Sequence, residues 1–157
     1  MQVRARVATK GDVGTLAELY RAYRSELALE RGGSVHTLKE AFGEPLEPYF
    51  SSLAKDERWV VLLGTLDKVP IGLAAARLDT LPDATCLAAI EVLYVDPAAR
   101  EVGVGEQLLE AVVRWAARRD ATGVEAKVLP GMRESKNFLE GSGFVARLLV
   151  MHLRLQR

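Results

Sequence analysis

The feature that most constrains this chain is the segment from Ile90 to Leu109, reading IEVLYVDPAAREVGVGEQLL. An apolar run closes on Asp96-Pro97, and a proline cannot donate to a strand ladder, so the strand stops there. Gly103-Val-Gly105 then opens a stretch in which Leu108, Leu109, Val112, Trp115 and Ala116 recur at helical spacing. The segment is therefore strand, turn, Gly-x-Gly, helix. A helix start leaves backbone N–H groups without intrahelical partners, and the aligned peptide dipoles place partial positive charge there. Gly103 and Gly105 carry no side chain to obstruct an anion, and Arg100 adds a full positive charge to the same loop. Together they read as a pyrophosphate cradle. Taken alone, glycines ahead of a helix also serve as plain turn residues.

The rest of the chain supplies a setting for that segment. Val3 to Val7 alternates as a short strand. Thr9 or Asp12 caps a helix running to about Arg31, with Leu16, Leu19, Tyr20, Tyr23 and Leu27 as its apolar stripe and Gly32-Gly33 as its end. A second helical stretch covers about Thr37 to Ala54, broken near Gly43-Glu44-Pro45, with Pro45 and Pro48 suited to an early turn. Trp59–Leu63 and Ile71–Leu78 form a hairpin about Asp67-Lys-Val-Pro70, and Cys86–Val95 is the third strand of that run. After the helix from Gly103 to Arg119 come a short strand, Val124–Leu129, a short helix from Pro130-Gly131 to about Gly141, and a long strand, Phe144–Leu155. The order β-α-α-β-β-β-α-β-α-β predicts an α/β (α+β) fold: a mixed, mainly antiparallel central sheet flanked by helices.

Composition narrows the function. A length of 157 residues suits a single domain, and 49% hydrophobic with 27% charged residues is the balance of a globular chain rather than a disordered one. The net charge is zero, which argues against bulk binding of nucleic acid or an anionic membrane. Cys86 is the only cysteine, so no intrachain disulfide and no Cys-rich zinc module is expected. His36 and His152 fall in no metal-ligand spacing, and no metal is expected. No run has the length of a signal core or a membrane span, and a cytoplasmic location is the simplest expectation.

Arg100, Gly103 and Gly105 fill the three defined positions of the acyl-CoA signature of the GNAT N-acyltransferases, which the segment resembles. Leu93-Tyr94-Val95-Asp96-Pro97 is similar to the strand ending of that family, Arg6–Asp12 to its opening strand and first helix start, and Phe138–Phe144 to its late helix and Gly-Phe ending. The resemblance spans nearly the whole chain. It implies the acyl-CoA N-acyltransferase fold and acetyl-CoA as cosubstrate. The pyrophosphate would lie on Arg100, Glu101, Val102, Gly103, Val104, Gly105 and Glu106, and the pantetheine arm would pair like an added strand with Leu93, Tyr94 and Val95. The implied acceptor is a primary amine of a small molecule or a protein. Exposed apolar strands often pair subunits in the family, which leaves a homodimer open.

An amine with a pKa of about 10.4 must lose a proton before it can attack, and Glu91 is the candidate base. Two-residue alternation places it on the face of Leu93 and Val95. The other reading of Glu91 is a strand carboxylate that faces water or pairs with an arginine. The sequence departs from the family pattern at Glu101, where many members have glycine, at Glu106, at Met132, where an asparagine is frequent, and at Leu139, where many members carry the tyrosine that protonates the leaving thiolate. Ser135, Ser142 and Tyr94 are substitutes, and a catalytically weak or inactive acyl-CoA-binding module is the alternative function. Glu26, Glu30, Glu40, Glu44 and Glu47 outnumber Arg31 and Lys39 along a region that borders the acceptor in the family, which would favour a cationic amine. His36 is either a residue over the substrate site or a surface histidine. Trp59 and Trp115 read as core, and Lys136 as solvated or reaching for a phosphate.

Overall fold

Two sets of side chains alternate along the strands and divide the molecule into layers. The computed structural model describes residues 1–156. Strands β1 (Val3–Val7), β2 (Trp59–Leu66), β3 (Val69–Thr80), β4 (Cys86–Val95) and β5 (Gly123–Ala126) form one sheet in the order β1-β2-β3-β4-β5. The first three pairings are antiparallel, and β4 with β5 is parallel. Helices α1 (Val13–Ala28), α2 (Gly33–Glu40) and α3 (Leu46–Ala54) precede β2. Helix α4 (Val104–Arg118) joins β4 to β5, and α5 (Arg133–Gly141) follows β5. Val61, Leu63, Leu73, Ala75, Val92 and Tyr94 pack beneath α1 and α3. Val60, Leu62, Ala74, Ala76 and Ile90 pack against α4. A sheet covered on both faces has little use for alternation with polar residues, which is why β2 reads as an almost continuous apolar run.

Local chemistry sets the boundaries. The Asp12 carboxylate ahead of α1 accepts from the Thr9 N–H at 2.7 Å and from the Arg6 guanidinium at 2.7 and 3.0 Å. The arginine holds that carboxyl well below its usual range. The break expected near Gly43–Pro45 separates α2 from α3, giving three helices before β2 instead of two stretches. Phe42 in that break stacks on Tyr20 at 4.8 Å and donates its N–H to the Tyr20 hydroxyl at 2.8 Å, which pins the linker to α1. The β2–β3 turn is tighter than expected: only Asp67 and Lys68 lie in it, both at positive φ, the two-residue geometry whose twist suits a hairpin. Pro70 therefore lies inside β3, where a register shift at Gly64/Thr65 accommodates its missing N–H.

The expected last strand, Phe144–Leu155, does not form: residues 145–156 join no ladder. A strand needs a hydrogen-bonded neighbour, and among the described residues no backbone hydrogen bond ties this segment to another strand.

Candidate active site

Strand β4 changes partners halfway along. Leu87–Ile90 pairs with Gly123–Ala126 of β5, and beyond Ile90 the two strands part. On its other side β4 keeps β3 throughout, with one interruption: Ala75 faces Val92 and Ala76 faces Ile90, so Glu91 is the extra residue of a β-bulge. The bulge reverses the alternation. Ile90 belongs to the α4 side of the sheet and Val92 to the α1 side, although they are two residues apart. The expectation that Glu91 shares a face with Leu93 and Val95 is therefore corrected. Leu93 and Val95 pack on the α4 side, whereas Glu91 turns toward α1 and α2 and lines a small pocket with Tyr20, Tyr23, Leu27, His36 and Glu40.

The register also settles which way each backbone group of β4 faces. The Asp96 N–H donates to the Ile71 carbonyl at 2.8 Å. In an antiparallel pair, bonded and non-bonded positions alternate. Tyr94 and Val92 thus exchange bonds with β3, while Leu93 and Val95 turn both N–H and C=O to the side that β5 has left. Tyr94 has no backbone group to offer there, and its ring lies under α1.

The loop after β4 ends at that open edge. Asp96 caps a short turn, Pro97–Ala99, by accepting from the Ala98 N–H at 2.9 Å. Glu101 and Gly103 both take left-handed backbone, at φ 75° and 98°. Among the described residues, the N–H groups of Val102, Gly103, Val104, Gly105 and Glu106 have no protein acceptor, and no side chain caps α4. Glu101 and Glu106 are exposed, so their carboxylates face water. Val104 is buried and can contribute only its backbone. A β-carbon at Gly105 would lie 3.7 Å from Val95 and 3.8 Å from Phe138, ordinary contact distances, which places the first turn of α4 directly beside the edge strand. These residues fit the phosphates and amides of a CoA cosubstrate.

Arg100 departs from expectation. Its guanidinium makes two hydrogen bonds to Glu26 of α1, at 2.9 and 2.7 Å, and its Nε donates to the Val95 carbonyl at 2.9 Å. It also lies 5.8 Å from the Tyr94 ring centroid. Arg100 thus clamps α1, β4 and the loop together, and its charge is largely neutralised. The positive potential of the cradle comes mainly from backbone N–H groups and the helix dipole.

The Glu91 side chain is 8% exposed and forms an ion pair with Arg77, which also holds Asp79 at 2.9 Å. The arginine-paired reading of Glu91 is thereby realised, and the same carboxylate borders the pocket. Tyr23 donates its hydroxyl to the Glu91 carbonyl at 3.3 Å, and burial raises its phenol pKa far above the ordinary value. His36 lies on α2 in the pocket wall, its pKa lowered by burial. Four of the five border glutamates are ion-paired: Glu26 to Arg100, Glu40 to Lys127, Glu44 to Arg24 and Glu47 to Arg21. The acidic border is much weaker electrostatically than its residue count.

Leu139 packs in the core beneath α4, and Met132 begins α5 without a side-chain cap. Ser142 donates to the Phe138 carbonyl at 3.0 Å, so its hydroxyl terminates α5. Burial, with Glu26 and Asp96, raises the Tyr94 phenol pKa. Trp115 is buried and Trp59 packs against the α1-side core, as expected. Lys136 pairs with Glu140 on α5. Arg77 and Tyr23 also reach Glu91, although the sequence pattern marks neither for the site. The signals were an arginine inside an apolar strand and an aromatic stripe residue carrying a polar tip. Among the described residues no group of three or more His, Cys, Asp or Glu could hold a metal, and no helix is long and apolar enough to cross a membrane.

A mixed sheet that splays beside a bulged strand, with a helix start at the mouth of the splay, defines an acyl-CoA N-acyltransferase fold. Residues 16–144 match the acetyltransferase (GNAT) family, and the chain belongs to it as an acyl-CoA-dependent N-acetyltransferase. Solved structures share the fold at low identity. A transcriptional regulator from Bacillus halodurans C-125 is 21% identical, with a TM-score of 0.72 over 98% of this chain and 100% of that one. AAC(6')-Iy, in complex with a CoA-containing bisubstrate analogue, is 21% identical, with a TM-score of 0.71 over 100% of each chain. A ribosomal-protein-alanine N-acetyltransferase from Brucella melitensis biovar Abortus 2308 is 15% identical, with a TM-score of 0.70 over 99% of this chain and 100% of that one. No curated protein matches the sequence.

A non-glycine residue held in the left-handed region costs about 1–2 kcal/mol. Glu101→Gly is expected to stabilise the fold by up to about 1 kcal/mol, the rest being offset by greater freedom of the unfolded chain. Calorimetric melting checks this: a rise of about 2–4 °C is expected, and a fall counts against strain at this position.

Proposed function

We propose that the chain transfers an acetyl group from acetyl-CoA directly to a primary amine bound beside Glu91. The observation that carries this is the continuity of one strand: free N–H groups at 102–106, a free backbone edge at Leu93 and the Val95 N–H, then the Glu91 carboxylate on the pocket. A cosubstrate laid along that edge ends near the carboxylate, since Val95 to Glu91 spans only about 13 Å of strand.

The acceptor ammonium gives a proton to Glu91, directly or through water, and the freed nitrogen attacks the acetyl carbonyl. The C–N bond forms, the added nitrogen sheds its second proton to water, the C–S bond breaks, and the electron pair leaves on sulfur. A thiol pKa of about 8.5 lets sulfur leave as thiolate and take a proton from water, so the reaction does not require a hydroxyl at position 139. A small-molecule amine is supported by fold relatives described as aminoglycoside acetyltransferases, and a protein amine by the ribosomal-protein-alanine relative. Leu139 favours a second reading, an acyl-CoA-binding module with weak transfer.

Thiol release from acetyl-CoA across a panel of aminoglycosides, polyamines and peptide amines tests the choice. Acceptor-dependent release is expected. Calorimetric binding of CoA with no release from any acceptor would favour the second reading.

A further inference from the structure

Strand β5 delivers an amine to the gap it leaves beside β4. The two strands pair in parallel up to Ile90 and Ala126, so the next residues in register are Glu91 and Lys127, one on each bank of the opening. Ala126 and Val128 pack on the α4 side, which turns Lys127 between them toward α1 and α2, the side to which Glu91 also turns. The Lys127 Nζ donates to the Glu40 carboxylate of α2 at 2.8 Å, and Glu40 lines the pocket that Glu91 borders. The chain after β5 stays close to the α1–α2 turn: a β-carbon at Gly32 would lie 3.8 Å from Leu129 Cδ2, and one at Gly131 would lie 2.9 Å from Glu30 Oε2. Of the six lysines, Lys127 is the one that ion-pairs with a residue of this pocket; Lys136, the other paired lysine among the described residues, is held within α5.

A primary amine beside Glu91 is what acetyl transfer needs, and Lys127 is a primary amine that the fold itself places there. A cosubstrate laid on the open edge of β4 has Glu91 on one bank of the gap and Lys127 on the other. The Lys127 side chain is 60% exposed, and an ion pair that water reaches holds its partners weakly, so Nζ is free to leave Glu40. A tethered amine also needs no binding step, which gives it a large advantage over an amine in solution. We propose that Lys127 is a site of intramolecular self-acetylation, its Nζ taking the acetyl group of acetyl-CoA when no other acceptor occupies the pocket. The Lys127 ammonium gives one proton to Glu91, directly or through water, and the freed nitrogen attacks the thioester carbonyl. The new C–N bond forms, the nitrogen sheds its second proton to water, the C–S bond breaks, and sulfur leaves with the electron pair as thiolate. The product is a neutral amide, which leaves Glu40 as an unpaired carboxylate on the pocket wall. The inference rests on the transfer reading of the Glu91 pocket.

The test is to treat the chain with a lysine deacetylase, remove that enzyme, and add acetyl-CoA carrying a heavy-isotope acetyl group, with no other amine present. Peptide mass spectrometry then follows the label at every lysine. Lys127 is expected to gain label at least about tenfold faster than any of the five other lysines. The rate per molecule should not change with protein concentration, because the amine and the site belong to one chain. In the Glu91→Gln variant, labelling of Lys127 should fall to the rate of the other lysines, which acquire label without a positioned base. Label spread evenly over the lysines, a rate that rises with protein concentration, or undiminished labelling of Lys127 in the variant each overturns the proposal. Should the variant misfold, the first two readings, both made on the parent, still decide. Thiol release with the amine panel, measured on the same preparation, separates the two ways of failing. Release to an added amine with Lys127 unlabelled overturns self-acetylation and leaves the transfer reading standing, whereas neither release nor label overturns both.

Discussion

Glu91→Gln should slow acetyl transfer about 10²–10⁴-fold while leaving CoA affinity unchanged, the range typical of losing a positioned general base. The amide is nearly isosteric with the carboxylate and keeps the bulge, but it cannot accept the acceptor's proton. Arg77 is not stranded by the change, because Asp79 holds it at 2.9 Å, so the loss reports chemistry rather than folding. The signature lies in the pH dependence. Near neutral pH almost all of an amine with a pKa of about 10.4 is protonated, and a base is needed most. The deficit of the variant is therefore expected to shrink as pH rises toward the amine's own pKa, where free amine is abundant. A pH–rate profile parallel to the parent's across that range would remove Glu91 from the role of base and leave it as the partner of Arg77.

That test depends on geometry only half legible in the sequence. The strand, the loop and the glycine-led helix could be read from Asp96-Pro97, Gly103 and the spacing of Leu108 to Ala116, because each is a local signal of backbone chemistry or helical period. The bulge at Glu91 could not. An extra residue is defined by the partner strand, and nothing in the local run Ile90-Glu91-Val92 says that Ala75 and Ala76 lie opposite Val92 and Ile90. Alternation carried through the bulge therefore put Glu91 on the wrong face. The same limit explains Arg100 and the border glutamates. Their charges count at full value in sequence, but Glu26 is 74 residues from Arg100 and Glu40 is 87 from Lys127, so their neutralisation is a property of the tertiary fold. The last strand failed for a related reason. Residues 145–156 have strand composition, but a strand exists only with a paired neighbour, and among the described residues this segment joins no ladder.

Gly64→Ala should destabilise the fold by about 1–3 kcal/mol and weaken CoA binding, although position 64 lies outside the phosphate loop. Gly64 and Gly72 face each other across β2 and β3, directly beneath the first turn of α4. A β-carbon at Gly64 would sit 2.5 Å from Val104 Cγ1 and 3.1 Å from Leu108 Cδ1, while one at Gly72 would meet the Tyr94 carbonyl oxygen at 3.0 Å. Val104 and Leu108 are fully buried and cannot swing away. The added methyl must lift the start of α4, and with it the N–H groups at 104–106 that face the open edge of β4. For a chain of this size the loss corresponds to about 2–4 °C in melting temperature per kcal/mol. Val104→Ala in the same background removes the clashing methyl groups. In a double-mutant cycle the pair should be less harmful than the sum of the two single changes. A Gly64→Ala variant with unchanged melting temperature and unchanged CoA affinity would mean that the helix start has room to adjust, and that its position is not set by the two glycines beneath it.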